Sequence, residues 1–335
     1  MILHLIQALY DPRIPLPRNP GFYEKTLEDI EYFSVSSQIY FLLKQQAKLE
    51  QTPSFFQKRL EQKYNEILYP NILIKSQTER LLKKFEDAGI SVIPLKGISF
   101  AEKYFGHVGA RGTSDIDLLI NPLDLEKAIN CVKSMGFTIE QEHIPSHFHW
   151  SFSKPLPHSS IPLTVELHWH LLKDNTSDLN INEFWNQAKP INSFTYVMEL
   201  SEFHTFYMIC LHGWRHNLDS LKYFIDIIQM IHSVNKQFDY NDLFKQAAEH
   251  NTRRRITRTL AIVYHHFPHL EQIKELPYQK STRLWWDYKA IRDSSYKPIE
   301  VYLNFFYYEF FDFDTLKHCI TALFRFLFPK GSTTR

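Results

Sequence analysis

The chain has 335 residues, 44% of them hydrophobic, and its 38 Lys and Arg nearly cancel 37 Asp and Glu. A formal charge of +1 gives no global field for a long nucleic acid, which needs several phosphate-neutralising cations. Three scattered cysteines, Cys131, Cys210 and Cys319, form neither a disulfide framework nor a zinc pattern and suit a reducing cytoplasm, and no apolar run is long enough to span a bilayer.

The opening, residues 1–6, is apolar but lacks a basic start and a cleavage site, so it does not read as a signal peptide. A Pro-rich stretch follows at 12–20, and segments 36–50 and 54–68 carry apolar residues at helical spacing. Pro70 predicts a break. An amphipathic helix is expected over 72–88, ending near Gly89, with a short buried strand at 91–95. Lys96-Gly97 leads into a helix through Phe105. A strand around Asp115 comes next, then a helix over 122–135 with Pro at its start and strands at 137–140 and 147–152. A turn at 155–162 enters a strand around Glu166. Interleaving of this kind predicts an α/β unit. From 183 the pattern is helical: Ser201 caps a helix, and 218–234, 242–249 and 254–267 follow. The tail from Ser281 is aromatic and helical, with 301–313 too uniformly apolar to show a face. With 9 Gly, 27 Phe and 18 Tyr, a helix-rich fold with much aromatic burial is expected. The expected divisions are 1–70, a helical extension; 71–182, the core; and 183–335, a helical region. There is no internal repeat.

The densest chemistry lies in Arg111-Gly112-Thr113-Ser114-Asp115-Ile116-Asp117-Leu118-Leu119-Ile120. On a strand Asp115 and Asp117 share a face, and Ile116, Leu118 and Ile120 take the other. Two adjacent carboxylates repel, which raises a pKa or demands a cation. Mg²⁺ is bound through such carboxylates together with substrate phosphates. In Leu163-Thr164-Val165-Glu166-Leu167-His168-Trp169-His170 the alternation puts Glu166, His168 and His170 on one face. A neighbouring strand would add Glu166 as a third carboxylate, and such a triad holds two cations for in-line phosphoryl chemistry.

These segments, with Leu95-Lys96-Gly97 before them and Leu211-His212-Gly213-Trp214-Arg215-His216, Leu221-Lys222-Tyr223 and Asp226 after, resemble the uncharacterised nucleotidyltransferase family of the DNA polymerase β superfamily. The likeness covers roughly residues 75–235. It implies a polymerase-β-like core, a mixed sheet flanked by helices, with helical additions at both ends. It also implies transfer of a nucleoside monophosphate from an NTP, with ATP the expected donor, and Mg²⁺ or Mn²⁺ on Asp115, Asp117 and Glu166. The acceptor is expected to be a hydroxyl of a small molecule, sugar or peptide. The superfamily's usual Gly-Ser pair is replaced by Lys96-Gly97-Ile98-Ser99. That motivates a non-catalytic nucleotide-binding or interaction protein as one alternative. A metal-dependent phosphohydrolase is another.

Nucleotide contacts are assigned to Lys96 as a point charge on phosphate, to Gly97 for close backbone approach, and to Arg111 for its planar fork. A loop-fixing ion pair is the alternative for Arg111. Ser114 either contacts nucleotide or orients the loop. His168 orients Glu166 or touches substrate, and His212 and Arg215 lie on a helix expected to face the cleft. His147, His149, His168 and His170 could hold zinc, a less favoured reading. The run Arg253-Arg254-Arg255 with Arg258 predicts a solvated face, with binding of an anionic acceptor as the alternative. The aromatic C-terminal region predicts a core or bundle interface, with docking on a membrane or a protein partner as the alternative.

Overall fold

Alternation and helical periodicity resolve into one mixed sheet set among helices in the computed structural model, which describes residues 1–140, 147–156, 162–234, 238–277, 286–293 and 295–328. Three helices, α1 (Ile2–Tyr10), α2 (Pro20–Tyr32) and α3 (Ser36–Gln45), pack together and lead to α4 (Ser54–Asp87). The break expected at Pro70 does not occur, because Pro70 lies inside α4. Proline removes the bond to the carbonyl four residues earlier. Glu66 and Pro70 are both exposed, which leaves that carbonyl beside water. Phe56 and Leu60 on one side, and Ile74, Leu81 and Phe85 on the other, anchor the two halves in separate cores.

The sheet strands are β1 (Val92–Pro94), β2 (Asp115–Ile120), β3 (Thr138–Ile139), β4 (His149–Lys154) and β5 (Leu163–His168), in the order β1-β2-β5-β4-β3. β2 and β5 are parallel and the other pairs antiparallel. A short helix, α5 (Ile98–Phe100), continues as a π-helical turn to Phe105. α6 (Leu125–Ser134) crosses between β2 and β3. Ile116, Leu118, Ile120, Val165 and Leu167 pack under α6 and the second half of α4. Ile93, Leu95 and Leu119 point the opposite way, into a larger core shared with the N- and C-terminal helices. The strand, helix and sheet arrangement is thus the α/β one expected. Residues 157–161 of the expected turn lie outside the described residues.

α7 (Ile181–Asn186) is followed by a correction to the all-helical expectation: β6 (Lys189–Pro190) and β7 (Met198–Glu199) form a two-stranded hairpin. Then α8 (Glu202–Arg215) begins, capped by Ser201, whose hydroxyl accepts from His204 N–H as expected. α9 (Leu221–Val234), α10 (Tyr240–Glu249) and α11 (Arg253–His266) complete the larger core. The arginine run is a solvated face only in part, with Arg254 exposed and Arg253 half-buried. Arg255 and Arg258 are buried, Arg255 over the rings of Trp214 and Phe313, and Arg258 3.1 Å from Asp312. The tail forms α12 (Tyr288–Arg292), α13 (Ile299–Phe306) and α14 (Leu316–Leu327). Trp286 and Phe313 join the interior, but Phe306, Phe311, Phe324, Phe326 and Phe328 are exposed rather than packed in a core. Among the described residues, no helix is long and apolar enough to cross a membrane.

Candidate active site

β2 and β5 lie side by side with Asp117 opposite Glu166 and Asp115 opposite Thr164. Register partners in a parallel pair share a face, so the three carboxylates gather on the side turned toward α8. One oxygen from each of Asp115, Asp117 and Glu166 lies within 4.8 Å of the others. The antiparallel pairing of β1 with β2, extended by Leu95 N–H donating to Asp117 O at 3.0 Å, brings the next residue, Lys96, beside them. Its Nζ stands 2.9 Å from Asp117 Oδ2 and 3.7 Å from Asp115 Oδ2. On the other side His168 Nε2 is 3.1 Å from both Asp117 Oδ1 and Glu166 Oε2.

Charge state follows from this packing. Burial alone would raise the Asp117 carboxyl, but Lys96 and His168 hold it far below the usual carboxylate range. Glu166 is likewise lowered against its own burial, by its hydrogen bond with His168. Burial pushes Lys96 down, yet Asp117 and Asp115 raise it above an ordinary lysine. His168 is pushed down by burial and raised, net, by hydrogen bonds to Asp117 and Glu166. The site is therefore an array of formal charges at neutral pH, with two carboxylates fixed in ionised form.

The donor set fits a hard divalent cation. Asp117 Oδ2 is buried and paired with the Lys96 ammonium at 2.9 Å.

A cavity of about 160 Å³ opens over the carboxylates, walled by Lys96, His168 and, from α8 and the residue that caps its end, His212, Arg215 and His216. Helical spacing puts these three residues on one side, so the cleft-facing position expected for His212 and Arg215 is where the structure places them. Burial, reinforced by the charge of Lys96, drives His212 well below an ordinary histidine. His216 stacks on Tyr223 with centroids 5.0 Å apart, and burial takes it down to about 4. Both imidazoles are neutral at pH 7 and can donate or accept.

Arg111, expected on phosphate, is committed elsewhere. It is 2% exposed and its Nε and Nη2 meet the Asp226 carboxylate at 2.8–3.0 Å. The loop-fixing alternative describes it. Gly97 adopts φ +76°, and a Cβ there would meet Thr113 Cγ2 at 3.2 Å. Its glycine requirement comes from this turn packing on the loop before β2. Ser114 is exposed, with Oγ 3.4 Å from Asp115 Oδ1. Neither Gly97 nor Ser114 lines the cavity. Of the four histidines weighed for zinc, His149 and His168 come together with Glu166. His170 turns away to the backbone of Leu172 and Leu179.

Two residues escaped the sequence reading. Asn71 of α4 is fully buried; its amide donates to Val108 O at 2.7 Å and Arg111 O at 2.8 Å and accepts from Thr113 N–H at 3.2 Å. It clamps the loop that delivers Asp115. Its signal was a polar side chain on the buried stripe Asn71, Ile74, Thr78, Leu81. Lys173, discussed below, gave no signal.

The sequence profile described as "Uncharacterised nucleotidyltransferase" matches residues 33–268. No curated protein and no solved structure matches the chain. The match takes in α4, the whole five-stranded sheet and the α8 and α9 helices around the three carboxylates, and on it the chain belongs to this uncharacterised nucleotidyltransferase family.

Proposed function

We propose that the protein is a metal-dependent nucleotidyltransferase that moves a nucleoside monophosphate from an NTP, ATP by preference, to an acceptor hydroxyl, releasing pyrophosphate. The observation that carries this is the convergence of Asp115, Asp117 and Glu166 in a cavity walled by Lys96. Asp115 and Asp117 would hold Mg²⁺ or Mn²⁺ on the nucleotide phosphates, and Glu166 would help hold a second ion. Bound there, the ions would neutralise phosphate charge and acidify the acceptor hydroxyl.

The protein's own groups supply the rest. Lys96 balances the carboxylates without nucleotide and is placed to turn its ammonium onto phosphate once they are otherwise neutralised, stabilising charge on the departing pyrophosphate. His168 holds Asp117 and Glu166 in one orientation and keeps Glu166 ionised, able to accept the acceptor proton. Leu95, Met208 and Leu211 line the cavity and limit water around the reacting phosphate. Near-neutral net charge favours a small molecule, sugar or peptide as acceptor over a long nucleic acid.

Calorimetry with each NTP and Mg²⁺ or Mn²⁺, on wild type and Asp115→Asn/Asp117→Asn, tests this. Metal-dependent binding that the double variant loses is expected, followed by transfer of α-phosphate label to an acceptor. A folded wild type that binds no NTP with either metal would overturn the reading.

A further inference from the structure

A second cavity, of about 420 Å³, adjoins the first and shares Phe148 and Arg215 with it. Its volume is that of a small-ligand pocket. Three cations, Lys173, Arg215 and Arg325, line it against one carboxylate, Glu309. Among the described residues none of these cations makes an ion pair, and Arg325 Nη1 is buried without a hydrogen bond. Burial lowers Lys173, and the neighbouring Arg215 and Arg325 lower it further, against the opposing pull of Glu309. The remaining walls are aromatic and held in place. Trp214 Nε1 donates to Asp312 at 2.9 Å, Tyr308 donates to Arg215 O at 2.6 Å, and the Arg215 guanidinium lies 4.7 Å from the Phe148 ring centroid. Behind Trp214 and Phe313 sits Arg255, buried, with Nε and Nη1 unpartnered. Its charge adds to the same positive field, although Asp312 and Asp314 offset it.

We infer that this second cavity is the acceptor subsite, and that it takes a small acceptor bearing a phosphate or carboxylate on a flat apolar body. Three guanidinium and ammonium groups facing a single carboxylate in one cavity call for a further anion. The aromatic walls call for a flat or apolar body. The shared Arg215 and Phe148 put an acceptor held there next to Glu166 and the metal-binding carboxylates. A nucleoside is the competing occupant, but a neutral base would leave the cations unanswered. The inference rests on the nucleotidyltransferase reading above.

The test uses the full chain and two probes, phenyl phosphate and benzoate, by calorimetry, with Mg·ATP titrated in parallel. Wild type is expected to bind at least one probe. Lys173→Ala/Arg325→Ala should weaken it by roughly 10- to 100-fold for each charge-assisted hydrogen bond lost, while Mg·ATP affinity holds. Asp115→Asn/Asp117→Asn should do the reverse. The single charge reversal Lys173→Glu, in the loop after β5, serves should the double variant not fold. Preference between the probes tells phosphate from carboxylate. The inference is overturned if wild type binds neither probe, if the Lys173 and Arg325 changes leave probe binding intact, or if they weaken Mg·ATP as much as the probe, which makes the cavity a nucleotide site. Failure of the nucleotidyltransferase reading looks different: Mg·ATP does not bind at all, whatever the probes do.

Discussion

Arg111→Met separates two accounts of the arginine before the Asp-x-Asp strand. The Arg111 and Asp226 side chains are 2% and 1% exposed, and three N–H···O contacts of 2.8–3.0 Å join them. Removing the guanidinium leaves Asp226 in the interior with one remaining donor, Gln38 Nε2, at 3.5 Å. An abandoned buried charge costs about 3–5 kcal/mol, a large share of the ~5–15 kcal/mol that holds a typical domain folded. Arg111→Met should therefore lose about that much in urea unfolding followed by circular dichroism. Arg111→Met/Asp226→Leu removes both charges and their desolvation together, and should return to within about 2 kcal/mol of wild type. Since Arg111 does not line the carboxylate cavity, the folded double variant should still bind Mg·ATP. A single-variant loss below about 1 kcal/mol would refute the structural role. So would a stable double variant that no longer binds Mg·ATP, which would put Arg111 back on the phosphates.

The remaining predictions concern the carboxylates and the loop that presents them. Lys96→Met removes the counter-charge of Asp115 and Asp117, so without metal its melting temperature should fall, and millimolar Mg²⁺ should raise it more than it raises wild type; equal shifts would contradict the ion-pair account. His168 has a raised pKa in the fold, so its contribution is complete below the unfolded value of about 6.5 and is lost as pH rises through the higher folded value. In chelator, wild-type stability should decline on that alkaline side and His168→Gln should show a flatter profile, whereas parallel profiles would exclude the shift. Asp117 works in the opposite sense, its contribution present above about pH 3.9 and lost as pH falls through its depressed folded value. Asn71→Leu strands the Val108 and Arg111 carbonyls and should cost about 2–4 kcal/mol in urea unfolding; a loss under about 1 kcal/mol would show that the loop holds itself.

What could be read from the sequence was what local periodicity dictates. A strand alternates whatever surrounds it, so Asp115 and Asp117 had to share a face, and the same argument aligned Glu166 with His168. Ser201 and the spacing after it placed His212 and Arg215 on one side of α8. Partners were not legible, because nothing local in Arg111 says that its carboxylate will be Asp226, 115 positions away. Pro70 failed as a breaker because two separate cores anchor α4 on either side of it. The arginine run misled because charge type gives no hint that Trp214, Phe313 and Asp312 will close over it. The same contrast divides the two cavities. The three carboxylates come from two adjacent strands with a two-residue repeat, a pattern that a sequence displays. Lys173, Arg215 and Arg325 come from a loop after β5, the end of α8 and the last helix, which share no period. Reactive phosphate chemistry constrains residue type and spacing tightly, whereas an acceptor pocket needs only that suitable charges arrive by any route. The carboxylate cavity can thus be read from the chain, and the second cavity emerges only when the helices are folded together.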